Sequence, residues 1–278
     1  MNFKDCIDSY PFILMEGALG ERLKREFDLD ISGTVAMADL IYQQKGRMAL
    51  KTLWNEYMDI AHRYQLPFLA ITPTRRANKE RVYMAGYNES IITDNVDFLR
   101  TIKETVNVNM YIGGLMGCKG DAYTSERALN QEEAIAFHSW QASLFKSVGV
   151  DFLYAGIMPV LSEAIGMAVA MSDTDIPYII SFTIQRNGKL IDGHTINDAI
   201  YYINNHVSNK PVCYMTNCVH PDIVYEALSH KFNQTQMVKN RFWGIQANTS
   251  RLSYKELDGA KNLRTSSAVD LGKAILRL

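Results

Sequence analysis

The segment Pro211–Pro221, PVCYMTNCVHP, is a short apolar run that breaks off at Asn217-Cys218 before His220-Pro221 opens what reads as a helix. A thiol in that place ends a parallel strand. In an α/β barrel this is the edge where catalytic groups collect, because the βα loops are free to vary while the strands beneath hold them rigidly. Cys218 is therefore the first candidate for chemistry. The competing reading is a buried structural cysteine, since free Cys is among the most buried residue types. Cys213 lies at an odd offset from Cys218, which along a regular strand points the two side chains to opposite faces, so Cys213 reads as core. Cys218-x-His220 supplies only two potential metal ligands, too few for a tetrahedral site, and His220 reads as a helix-entry residue.

Other strand ends carry polar groups. LMEGALGERL puts Glu16-Gly17 after the first strand, where the alternative is an ordinary acidic residue at a strand-to-helix turn. AITPTRRAN puts Thr72 and Thr74 after the second, beside Arg75 and Arg76 and close to Lys79 and Arg81. A solvated basic face is the default reading, although guanidinium forks at a site rim also suit a carboxylate or phosphate. Cys118 lies in the glycine-rich stretch GGLMGCKGDAY next to Lys119, a setting that favours a reactive thiol. Asn248, in GIQANTS, either caps a turn or binds substrate.

These residues need a scaffold, and proline marks it out. Pro11, Pro67, Pro177 and Pro211 precede the apolar runs FILM, FLAIT, YIISFT and VCYM, while Pro159 and Pro221 open helical stretches. Further strands are predicted from Val108, Val150 and Phe242, seven in all. Amphipathic helices are predicted over Leu50–Tyr64, Asn130–Val148, Pro159–Met171, Thr195–Val207 and Asp222–Lys231. Asn130 with Glu133 resembles a capping box, and Asn187-Gly188 signals a hairpin after the fifth strand. Strands alternating with helices argue for a parallel sheet, and a (β/α)8 TIM barrel is favoured over an open doubly wound sheet. Gly17-Ala18-Leu19-Gly20 and Gly113-Gly114 do not make a dinucleotide fingerprint. From Leu252 to Thr265 the chain turns polar, and SAVDLGKAILRL then starts a helix, so the barrel lacks its eighth strand and is expected to be C-terminally incomplete. Glu16, Thr72, Gly156, Cys218 and Asn248 are expected at one edge of the sheet. Unpaired first and seventh strands would favour an oligomer.

Length suits one domain over residues 1–278. A net charge of −1 gives no field that would hold nucleic acid or an anionic membrane. No run of about 18 apolar residues and no leader pattern occurs, so a cytoplasmic protein is expected. Four cysteines do not make a disulfide framework.

With these segments in place the chain resembles the homocysteine S-methyltransferase family over nearly its whole length. ILMEGALGERL is similar to the family's "DGGLGTEL", AITPTRRAN to "TNTYQAN", TNCVHPDIV to "NC.P..V" and GIQANTS to "YPNsGe". FHSWQASLFKSVGVDFL and SFTIQRNGKLIDGHTINDAI match its fourth and fifth strand regions. The resemblance implies a (β/α)8 fold and transfer of a methyl group from a small donor to the homocysteine thiol, forming methionine. It implies zinc, held by the cysteine matching Cys218 and two cysteines of a "GGCCG" motif, and places Glu16, Gly17, Thr72, Asn217 and Asn248 in the homocysteine pocket. Two departures stand out. No "GGCCG" is present, and the family glutamate that receives the homocysteine amino group aligns with Gly156, Glu163 matching a different position. A divergent member acting on another thiol or small acid, and a non-catalytic partner subunit without a complete metal site, are the alternatives.

Overall fold

The computed structural model describes residues 1–257, 262 and 264–278. Its strands are β1 (Leu14–Met15), β2 (Phe68–Ile71), β3 (Met110–Gly117), β4 (Phe152–Met158), β5 (Tyr178–Phe182), β6 (Cys213–Val219) and β7 (Phe242–Ala247), hydrogen-bonded in that order. The helices are α1 (Phe3–Ser9), α2 (Leu19–Glu26), α3 (Gln44–Tyr64), α4 (Lys79–Met84), α5 (Ser90–Lys103), α6 (Gln131–Val148), α7 (Leu161–Ser172), α8 (Ile196–His206), α9 (Pro221–Ser229), α10 (Gln236–Arg241), α11 (Tyr254–Leu257) and α12 (Ala268–Ile275). The pairs β1–β2, β2–β3, β5–β6 and β6–β7 are parallel. The α/β class and the seven strands follow the apolar runs. An eighth strand, which a (β/α)8 barrel uses, is absent among the described residues. Of the polar tract 252–265, positions 258–261 and 263 lie outside the described residues.

The chain forms two compact units, the first made of Met1–Met116, Ala136–Tyr154 and Asp173–Tyr178, the second of Gly117–Ile135, Ala155–Ser172 and Ile179–Leu278. In the first unit α3 buries Leu50, Leu53, Trp54, Met58 and Ala61, the one-sided spacing of an amphipathic helix, and stops where Gln65 turns left-handed and returns its N–H to Ala61. β3 is buried along its whole length. Its two adjacent glycines make room for large rings: a Cβ on Gly113 would come within 2.3 Å of Phe152, and one on Gly114 within 2.6 Å of Phe145. Phe152 stacks in turn on Phe3 with ring centroids 4.7 Å apart.

In the second unit β5, β6 and β7 pair side by side, and α7 is buried on nearly all sides. The hairpin signal holds. Gln185 and Lys189 close the turn through Gln185 N–H to Lys189 O at 2.8 Å, with Gly188 at φ +77°. The Asn130–Glu133 cap is reciprocal, at 3.2 and 2.9 Å.

Several expectations are corrected. β1 is only Leu14–Met15 rather than the whole of FILM, since Phe12 is exposed and Leu14 N–H is the first to find a carbonyl, that of Pro67, at 3.0 Å. α3 begins at Gln44, not Leu50. α5 was not expected, although Ile91, Ile92, Val96, Leu99 and Ile102 give it a complete buried face. β6 does not stop at Asn217-Cys218 but continues to Val219.

Candidate functional site

In the first unit Glu16 stands directly after β1 and is buried. Its Oε1 accepts the backbone N–H of Ile71, the last residue of β2, at 2.8 Å. Burial pushes its carboxyl up to about 8, with the Ile71 N–H and the Trp54 indole pulling part of the way back. Glu16 is thus a mostly protonated acid at neutral pH, unlike an ordinary acidic turn residue. Gly17 gives its carbonyl to the Tyr57 hydroxyl at 3.2 Å.

Thr72, directly after β2, is completely buried and already engaged: its Oγ1 accepts Leu115 N–H at 3.0 Å and meets Thr74 Oγ1 at 2.7 Å. Thr74 Oγ1 donates to the Leu115 carbonyl at 2.8 Å, and Gln141 adds a bond to the Thr74 carbonyl at 3.1 Å. The two threonines therefore tie the carboxyl ends of β2 and β3 together. Of the basic cluster, Arg81 donates to the Thr34 carbonyl at 3.1 Å, while Arg76 and Lys79 are exposed.

In the second unit Asn217 joins three strands. Its Oδ1 accepts the Ser181 hydroxyl of β5 and its Nδ2 donates to Gln246 Oε1 of β7. Cys218, half-buried, occupies a β-bulge: Asn217 pairs with Gln246 and Val219 with Ala247, leaving two residues opposite one. Its φ is +60°, a left-handed conformation uncommon for a residue with a side chain. Cys213 is buried as expected, and burial pushes its thiol up to about 12.

His220 is the N-cap of α9, its Nδ1 accepting Asp222 N–H at 3.1 Å. Burial lowers its pKa, Arg251, Arg277 and Arg186 lower it further, and Asp222 opposes them. The helix-entry reading of His220 stands. Asn248 follows β7, donates its N–H to Val219 O at 2.9 Å and accepts Ser250 N–H on Oδ1 at 3.4 Å, so it caps a turn. Gly156 lies buried near the end of β4. Cys118 is buried, its Sγ 3.7 Å from Gly120 O.

Glu163, on the first turn of α7, is wholly buried and accepts Lys119 N–H at 2.7 Å and Leu129 N–H at 3.3 Å, fastening both ends of the loop between β3 and α6. The functional reading of the sequence passed over Ser181 and Gln246. Both are polar residues inside apolar strands, and that interruption was the available signal.

A zinc ion needs three or four ligands. Among the described residues no group of three His, Cys, Asp or Glu side chains is placed to hold a metal ion. His220 Nδ1 is occupied by the cap and Cys213 is a core thiol. The described residues do not fit a zinc site. Among the described residues no helix is long and apolar enough to cross a membrane.

The family model described as homocysteine S-methyltransferase matches residues 13–269. No curated protein sequence matches the chain. Among solved structures, the oxidized form of the homocysteine methyltransferase MmuM from Escherichia coli is similar at 19% identity and a TM-score of 0.67, covering 81% of this chain and 80% of that one. Its metallated form gives 19% identity, a TM-score of 0.67 and 81% of both chains, and its apo form 19%, 0.60, 82% and 79%. At that identity the likeness shows the fold, a TIM-barrel-like α/β fold with seven of the strands present here.

Proposed function

The chain belongs to the homocysteine S-methyltransferase family, and from that premise we propose that it moves a methyl group from a small donor onto the sulfur of homocysteine. The observation that carries the reading is the family match over residues 13–269, with Cys218 on a left-handed bulge at the carboxyl end of β6.

The transfer is a displacement. The acceptor sulfur forms the new S–C bond as the bond between the methyl carbon and the donor atom breaks, its electron pair leaving with the donor and the thiol proton passing to solvent. Such a reaction depends on holding sulfur, methyl carbon and leaving atom in line. In the first unit Glu16 and Gly17 are proposed acceptor-binding residues, and in the second Asn217. The Thr72 hydroxyl is taken by Leu115 and Thr74, and Asn248 caps the turn after β7, so these two are proposed to shape the strand ends. Glu16, protonated below about pH 8, donates a hydrogen bond to the carboxylate of the amino acid, and once ionised it meets the ammonium instead. Asn217, locked between Ser181 and Gln246, holds the end of β6 in register beneath Cys218.

Cys218 is the proposed catalytic residue, and of the three thiols that the family pattern assigns to zinc it is the one with a match in this sequence. Further zinc ligands would have to come from outside the described residues. A divergent acceptor is the second reading, favoured by Gly156, which offers no side chain where the family pattern has a glutamate. Turnover with homocysteine, cysteine and 4-mercaptobutyrate, each offered with sulfonium, quaternary ammonium and methylfolate donors, separates the two. The first reading predicts methylated homocysteine as the main product. Selective methylation of 4-mercaptobutyrate, which has the homocysteine skeleton without its amino group, establishes the second instead.

A further inference from the structure

Two residues of the second unit share an unusual backbone. Cys218 has φ +60° and Ile157 has φ +62°, and each is the next-to-last residue of a seven-residue strand, β6 and β4. For a β-branched side chain this conformation is a genuine outlier, because Cβ crowds the neighbouring carbonyl. Ile157 is held there from the residues that follow it. Met158 O accepts Thr183 N–H at 2.8 Å, Pro159 O accepts Ile191 N–H at 3.1 Å, and Asp192 Oδ2 accepts Leu161 N–H at 2.6 Å. Strain of this kind persists only where the surroundings over-determine it, and it concentrates at functional sites. Ile157 is also the only half-buried position of β4, whose other six residues are buried. It follows Gly156 at the strand end where barrel enzymes present substrate-contacting groups.

We propose that Ile157 is a specificity-determining residue for the acceptor thiol, its branched side chain at the carboxyl end of β4 acting as an apolar stop to the acceptor's carbon chain. The proposal rests on the methyl-transfer reading. It gives a role to an isoleucine at a position where glycine or asparagine would relieve the backbone. An apolar contact of this size discriminates between substrates by roughly 10- to 200-fold.

The test uses Ile157→Gly, Ile157→Asn and Ile157→Val, with calorimetric titration of homocysteine and 4-mercaptobutyrate and thermal unfolding of each variant. Glycine and asparagine tolerate the left-handed region, so at least one of them is expected to raise Tm by about 2 °C or more while weakening binding of the preferred thiol roughly 10-fold. Valine keeps the branched apolar group and should bind within about 3-fold of the unmodified protein. Unchanged affinity in both Ile157→Gly and Ile157→Asn overturns the inference and leaves the methyl-transfer reading standing. An unmodified protein that binds neither thiol overturns both.

Discussion

The Ile71 backbone N–H donates to Glu16 Oε1 at 2.8 Å, so the residue that ends β2 fixes the carboxyl that follows β1. That single bond satisfies part of a buried acid whose protonation is shifted by desolvation, which makes the stability of the fold dependent on pH.

Because the folded-state pKa of Glu16 is raised to about 8, above its unfolded value near 4.3, its stabilising contribution is complete below the unfolded value. That contribution is lost as pH rises through 8. Urea unfolding at pH 5.5 and 8.5 should show a loss of up to about 3 kcal/mol in the unmodified protein. Glu16→Gln should flatten that difference. An equal slope in both proteins would show that Glu16 does not titrate in this window.

Asn217→Ala removes the side chain that both Ser181 and Gln246 contact, leaving buried polar groups to find new partners. A loss of about 1–3 kcal/mol is expected from chemical denaturation. Asn217→Asp should retain the Ser181 contact while setting two acceptors against each other at Gln246, and should fall between the two. No measurable change in Asn217→Ala would mean that the chain of amides contributes nothing to holding β5, β6 and β7.

Much of this was legible in the sequence because the responsible forces are local. Apolar runs marked all seven strands, four of them opened by proline, Asn187-Gly188 announced its hairpin, and His220-Pro221 announced a helix start. Side-chain pairings between distant strands were not legible. Nothing in the type of Thr72 says that Leu115 will occupy its hydroxyl, and nothing in NCV shows that Cys218 will bulge. That depends on how β7 lies against β6. The Gly113-Gly114 pair reads in the sequence as a failed nucleotide motif and as part of a glycine-rich stretch before Cys118, whereas it lies in buried β3 and its role comes from Phe145 and Phe152, rings brought to it by later segments.

The glycine pair makes its own prediction. Gly113→Ala places a methyl group into the Phe152 ring and should destabilise the protein by about 1–3 kcal/mol or more through overpacking. Gly113→Ala combined with Phe152→Leu should recover part of that loss. Additive losses in the double variant would point to backbone conformation in place of the ring contact.

The cysteines should separate by accessibility. Cys218 is half-buried, whereas Cys213 is buried with its thiol pushed up to about 12. Alkylation of the native protein at pH 8, followed by peptide mass analysis, should label Cys218 well before Cys213, since the thiolate is the reactive form. Faster modification of Cys213 would contradict the placement of both residues.

Zinc analysis after equilibration and gel filtration is expected to give well under one equivalent, since no group of three His, Cys, Asp or Glu side chains is placed to hold a metal ion among the described residues. One full equivalent, lost in Cys218→Ser, would show that further ligands reach it.

The most direct test of methyl transfer is to supply donors bearing a trideuteromethyl group together with homocysteine and follow the thiol product by mass. The account predicts deuterated methionine from the unmodified protein with at least one donor class, formed more slowly by Cys218→Ser. Absence of labelled methionine with every donor, or an undiminished rate in Cys218→Ser, would contradict it.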